Sequence, residues 1–156
     1  TIKFVSTDPY RIVVTGRIKH FTSAFGEHVI AEEVEYALQE GLKDFDAQIV
    51  EFTVAPQVNP VEGELPFHEW FIEFSKIPSD IEGFILKMDS ALQKKNPYYA
   101  DLLEGNILQT LKISMVEEGG FNAFMKSRGK LGKQNKIPRL SNDRIMADEL
   151  SEFLVK

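Results

Sequence analysis

Two runs of aromatic and β-branched residues, AQIVEFTVAP at 47–56 and FHEWFIEFS at 67–75, constrain the fold more than anything else in this chain. Such residues fit a pleated surface that is at least half buried. A loop rich in Pro, Asn and Gly separates the runs, which predicts two antiparallel strands. Side chains alternate across a strand, so Glu69, Phe71 and Glu73 share one face of the second run and Trp70, Ile72 and Phe74 the other. The acids suggest an edge whose outer face meets water. One apolar sheet face then needs helices to cover it.

The rest of the chain supplies them. Ile30, Val34, Ala37, Leu38 and Leu42 recur at helical spacing, with Glu32, Glu33 and Glu35 at the positive end of the dipole, predicting a helix over about 29–43. Ser79 and Glu82 match a capping box ahead of a stripe formed by Ile81, Phe84, Ile85, Met88 and Leu92. A short helix fits 98–104, with Tyr98 and Tyr99 partly buried at its start. A further central strand fits 109–116, and a helix fits 120–127. Ser141 or Asn142 can cap a last helix that turns Ile145, Met146, Leu150, Phe153 and Leu154 inward. At the N-terminus, 2–6 and 10–15 read as a β-hairpin about Thr7, Asp8 and Pro9. The expected class is α+β: an N-terminal β-hairpin, then a small sheet of about three strands with packed helices, in one domain.

Composition narrows the function classes. At 156 residues the chain is about one domain. It has no cysteine, which excludes disulfides and thiolate chemistry. His20, His28 and His68 are too dispersed for metal-ligand spacing, so no metal site is assigned. The net charge of -6 argues against a general nucleic-acid binder, which needs a broad basic face. No apolar run approaches the roughly 18 residues of a membrane span, and no signal peptide opens the chain, so a cytoplasmic protein away from membranes is expected. The chain begins at Thr1, directly in a strand pattern, which suggests a piece of something longer or a processed chain.

Two polar stretches exceed what connecting these elements requires. Between hairpin and first helix lie Gly16, Arg17, Lys19, His20, Ser23, Gly26, Glu27 and His28, in a longer connection than the usual two to six residues. Long polar connections often carry function, although a solvated charge set fits the same residues. The second stretch holds Lys126, Arg128, Lys130, Lys133, Lys136 and Arg139, with no acid between Glu118 and Asp143. Lysines beside glycines can approach phosphate oxygens, yet the spacing is not that of a P-loop, and a solvated, mobile connector is the more ordinary reading of such a charge run.

The strings themselves are more specific. Residues 16–35 resemble the hinge-and-loop motif that opens the C-terminal domain of the adenylate-forming superfamily, which includes acyl-CoA synthetases, peptide-synthetase adenylation domains and luciferases. Over nearly the whole chain, DPYRIVVTGRIKHFTSAFGEHVIAEEVE, FHEWFIEF and KSRGKLGKQNKIPRLSNDR resemble bacterial relatives of the auxin-responsive acyl-acid amido synthetases.

That resemblance implies a two-step ligase. ATP, with Mg, activates a carboxylate as an acyl-adenylate, and the amine of an amino acid then attacks it. A large N-terminal adenylation domain would hold most of the ATP and acyl-acid site. This chain would be the mobile C-terminal cap, inactive alone, with 1–15 as hairpin and hinge approach and 16–156 as the cap domain. On the same basis Arg17 contacts the nucleotide's ribose region, Lys19 is the hinge, and Gly26, Glu27 and His28 form the acceptor-side loop. Lys136, in the string QNKIPR, matches the family's catalytic lysine. Gly16 stands where the superfamily has an acidic hinge partner. On residue chemistry alone Lys133 would serve as well as Lys136. Two other functions fit the residues: the same adenylation with coenzyme A as acceptor, or a non-catalytic module whose basic loop binds RNA or an acidic protein.

Overall fold

The protein is seen in a computed structural model that describes residues 2–7 and 10–14 as backbone strands and residues 21–130 and 136–156 in full. Strands β1 (Ile2–Thr7) and β2 (Tyr10–Val14) pair antiparallel, with Ile2 opposite Val14, in the hairpin that the turn residues predict. A second, miniature hairpin follows, made of β3 (Phe21–Thr22) and β4 (Val29–Ile30). Sequence reading gives 21–28 as loop and 29–30 as the start of the first helix, because two-residue strands carry too little pattern to detect.

Next come α1 (Ala31–Asp44), β5 (Gln48–Gln57), β6 (Phe67–Lys76), α2 (Ile81–Lys95) and α3 (Pro97–Glu104). They are followed by β7 (Lys112–Val116), α4 (Gly120–Ser127) and α5 (Ile145–Leu150), which runs into a 3-10 turn at Ser151–Phe153. The main sheet has the order β5-β6-β7. β5 and β6 are antiparallel as predicted, and β7 joins β6 in parallel, its crossover supplied by α2 and α3.

Two expectations about the sheet are corrected. β6 is its centre, and β7 is an outer strand that begins at Lys112. Leu140 bridges to Val54 beyond β5, and Leu154 bridges to Val116 beyond β7, so pieces of the C-terminal region lie along both sides. Helices cover both faces. On one, Trp70, Ile72, Phe52 and Val54 pack with Val34 and Leu38 of α1 and Phe84, Met88 and Leu92 of α2. On the other, Phe71, Ala55 and Val116 pack with Phe121 and Phe124 of α4 and Met146 and Leu150 of α5. Fully burying each such Phe, Leu or Met contributes about 1.5–3 kcal/mol. The acids of β6 therefore do not face water: Glu73 is buried, and Glu69 binds Ser114 Oγ and Arg144.

Local chemistry sets the remaining ends. Gly41 lets α2 approach α1, because a Cβ there would lie 2.8 Å from Phe84 and 2.9 Å from Met88. Asp80, not Ser79, caps α2 by accepting the Gly83 N–H at 2.8 Å. Asn96 caps α3 through the Tyr99 N–H at 2.9 Å, placing Tyr99 fully inside while Tyr98 stays exposed. Neither Ser141 nor Asn142 caps α5. Asp143 Oδ1 accepts the Ile145 N–H at 3.0 Å, and Ile145 faces outward.

Candidate functional site

The connection between hairpin and first helix is folded by one buried acid. In the tip between β3 and β4, Gly26 and His28 are exposed while Glu27 between them is wholly buried. Gly26 has φ +92 with nothing within 4 Å of a would-be Cβ, so backbone conformation, not crowding, selects glycine. His28 also takes a positive φ, 47°, which is strained for a residue with a Cβ, and its ring lies against Phe21 at 4.8 Å between centroids.

Glu27 turns into the core and is held there at three points. His68 Nε2 donates to Oε1 at 2.9 Å, the Phe25 N–H to Oε2 at 2.8 Å, and Asn96 Nδ2 to the backbone carbonyl at 2.9 Å. Burial pushes the carboxyl's pKa up, but the His68 hydrogen bond and charge, with the backbone N–H groups of Glu27 and Phe25, outweigh it and hold Glu27 below its ordinary value. With Glu27 ionised, the hydrogen-bond network assigns the proton to Nε2 of His68. Nδ1 meets no partner among the described residues.

The network continues inward. The His68 ring lies 5.1 Å from that of Tyr99, whose hydroxyl donates to Asp89 Oδ1 at 2.6 Å. Asp89 also accepts the Leu111 N–H at 3.1 Å and Gln93 Nε2 at 2.7 Å. Burial first, then the Asp89 charge and hydrogen bond, push the Tyr99 hydroxyl well above its ordinary pKa. Asn96 reaches Glu33 Oε2 as well, at 3.1 Å, and that carboxylate accepts the Ile30 N–H at the start of α1. One polar cluster thus ties the tip, β6, α1, α2 and α3 together.

The basic stretch is organised from its ends. Arg128 pairs with Glu149, and the Lys130 N–H donates to Met125 O at 3.0 Å. At the far end Arg139 binds Glu51 and Glu35 and lies 4.6 Å above the centre of the Phe52 ring. Thr53 Oγ1 donates to Pro138 O at 2.7 Å. Lys136 is exposed and lines a cleft of about 270 Å³ with Val50, Glu51, Glu73, Asn122 and Met125. Glu73 in that cleft accepts the Gly119 N–H at 2.8 Å and the Phe121 N–H at 3.2 Å, which fixes the start of α4.

The two polar stretches singled out by sequence meet at their roots. Thr22 Oγ1 donates to Ser141 O at 2.6 Å, and the Ser23 N–H to Asn142 Oδ1 at 2.8 Å. Gly26, Glu27 and His28 share one tip. Lys136 lies apart from them, on its own cleft beside α4. Arg17 and Lys19, with Gly16, His20 and Lys133, fall outside the described residues. Sequence reading missed His68, Asn96, Asp89 and Tyr99 as members of one cluster. The available signal was a histidine on a strand buried along both faces, where an imidazole needs a partner.

Among the described residues, no group of three or more His, Cys, Asp or Glu could hold a metal ion, and no helix is long and apolar enough to cross a membrane.

A family profile described as the GH3 family C-terminal domain matches residues 32–145. Two solved structures share the fold. "GH3.15 acyl acid amido synthetase" has a TM-score of 0.73 and "AtGH3.15 acyl acid amido synthetase in complex with 2,4-DB" a TM-score of 0.67. Each is 16% identical over 94% of this chain, and the chain spans 28% and 27% of their respective lengths. No curated protein matches the sequence. With the profile covering most of its length, including the whole of the main sheet, the chain belongs to the GH3 family, of which it holds the C-terminal domain.

Proposed function

We propose that this domain is the mobile cap of an ATP-dependent acyl-acid amido synthetase and works with a separate adenylating domain. The observation that carries the reading is the joining of the two polar stretches at Thr22–Ser141 and Ser23–Asn142. A solvated charge set and a solvated connector have no reason to be tied to each other. Two loops that serve successive steps at one site do. The GH3 family match and the fold shared with acyl acid amido synthetases support the same reading.

In the first step the carboxylate of an acyl acid attacks the α-phosphate of ATP, giving an acyl-adenylate and pyrophosphate. In the second, an amino acid's amine attacks the acyl carbon, an amide forms, and AMP leaves. Lys136 supplies the cation for the first step: its ammonium is exposed and makes no ion pair among the described residues, whereas Arg128 and Arg139 are committed to carboxylates. A cation delivered to charge developing in the transition state lowers the barrier more than it stabilises the bound substrate. The Mg that accompanies ATP is, by family resemblance, held mainly by the adenylating domain. By family resemblance, residues 1–15 are the approach to the hinge, Lys19 the pivot and Arg17 the ribose contact. The Gly26–His28 tip faces the acceptor in the second step.

The test is carboxylate-dependent ATP–pyrophosphate exchange by the enzyme containing both domains. Lys136→Ala is expected to lower exchange by about 100-fold or more, and Lys133→Ala to leave it unchanged. Full exchange by the Lys136 variant overturns its role. The mass of the product then decides between an amine and coenzyme A as acceptor.

A further inference from the structure

We infer that Glu27 and His68 are positioning residues for acyl transfer: together with Asn96 they pin the exposed Gly26 and His28 backbone in the one conformation that the acceptor step uses. This rests on the cap reading above and adds to it a residue pair that the family match does not assign.

The geometry is unusual for a loop tip. Tips are ordinarily solvated and mobile, and a carboxylate there has water available. Here the middle residue of three is fully buried while its neighbours on both sides are exposed. Its side chain crosses to His68 on the central strand at 2.9 Å, and its carbonyl is held by Asn96 at the α2–α3 junction at 2.9 Å. Both anchors belong to rigid elements, 41 and 69 residues away in sequence. The flanking residues take positive φ, +92 at Gly26 and 47 at His28. For His28, which carries a Cβ, that backbone persists only where its surroundings over-determine it. The Glu27 contacts supply that determination from below, while Gly26 and His28 themselves stay exposed.

Glu27 itself is not presented to a substrate. It acts through the turn above it, whose Gly26 has open space on the side where a Cβ would stand. Pinning a backbone against two rigid elements is a way to fix the position of reacting groups, and a misplacement of about 1 Å can cost about 100-fold in rate. The consequence is selective. Adenylation uses the basic stretch, which touches the root of the tip at Thr22 and Ser23 but not Glu27, and has an anchor of its own in Arg139 with Glu35 and Glu51. Loss of the pin should therefore leave the first step intact and slow the second.

The experiment uses the enzyme with both domains and measures the steps separately: ATP–pyrophosphate exchange for adenylation, and amide formation from preformed acyl-adenylate in a single turnover. Glu27→Gln keeps the shape and removes the charge. It is expected to leave exchange at the unsubstituted level and to slow amide formation by about 100-fold, with faster amide hydrogen exchange confined to 24–28. If Glu27→Gln does not fold, the His68 pair decides. His68→Gln retains a donor near the Nε2 position and should recover most of the transfer rate, whereas His68→Leu should not. Amide formation at the unsubstituted rate, or equal loss of both steps, overturns the inference while the cap reading stands. An unsubstituted enzyme that forms no acyl-adenylate overturns both.

Discussion

The tip at 21–30 and the basic stretch at 126–139 are both polar, glycine-bearing and longer than their connections need, yet they are held in opposite ways. The tip is fixed from its middle by a carboxylate with no solvent exposure. The basic stretch is fixed at its ends, by Arg128 with Glu149 and by Arg139 with Glu35 and Glu51. Buried polar contacts sit in a low dielectric and are costly to leave half made. Exposed ion pairs are weak and screened by salt. A loop that must hold one shape therefore uses the first device, and one that must deliver a cation can use the second.

The largest expected effect breaks the tip's side of this contrast. Glu27→Ala removes the acceptor for the His68 Nε2–H and the Phe25 N–H and leaves the His68 donor fully buried. Breaking a buried pair in this way costs about 3 to 5 kcal/mol, to be read from the urea midpoint of the isolated domain. The acid dependence follows from the lowered Glu27 pKa. As pH falls, the unfolded chain takes up the proton first, near 4.5, so the stability contributed by Glu27 is complete above that value. It is lost as pH falls through the lower folded value. The acid limb of the stability profile should be shallower in the Ala variant. An equally steep limb places the contribution elsewhere.

A smaller effect is expected in the basic stretch. Arg139→Ala loses two carboxylate contacts and the face of Phe52. The guanidinium side chain is 34% exposed and Glu35 is 50% exposed, so solvent screening discounts the pairs and the cost is about 1 kcal/mol. Salt separates the two regions. The difference between wild type and Arg139→Ala should shrink in 1 M salt, where the screening length is about 3 Å, while the Glu27→Ala difference should persist.

Much of this architecture was legible in the sequence, and the parts that were not have specific causes. The strands at 47–56 and 67–75, the helix stripe from Ile81 to Leu92 and the hairpin at the N-terminus all appear because each pattern is local. The family resemblance, read from whole strings, agrees with the profile match over 32–145. The position of β6 was misjudged because Glu69 and Glu73 look like solvated residues. Only the packed α4 and α5 reveal that their partners are Ser114, Arg144 and the amides opening α4. The Glu27–His68 pair spans 41 residues, and no periodicity encodes a contact at that separation. Arg17 and Lys19 lie outside the described residues, so their assignments rest on the resemblance alone.

The smallest effect is the most discriminating. His28 holds φ 47, and a left-handed non-glycine residue carries a strain of about 1 kcal/mol or more. His28→Gly removes that strain. It also gives up the packing on Phe21 and adds chain entropy to the unfolded state, each about 0.5–1 kcal/mol. These terms nearly cancel, and the net change should lie within about 0.5 kcal/mol of zero, measured by thermal and urea unfolding. If Glu27 sets the shape of the tip from below, the 24–28 amides keep their protection in this variant, because nothing that holds Glu27 has changed. If the Phe21–His28 contact sets it, those amides lose protection even though global stability barely moves. His28→Gly thus separates a pin inside the core from a clasp on the surface, which a stability measurement on Glu27 alone does not.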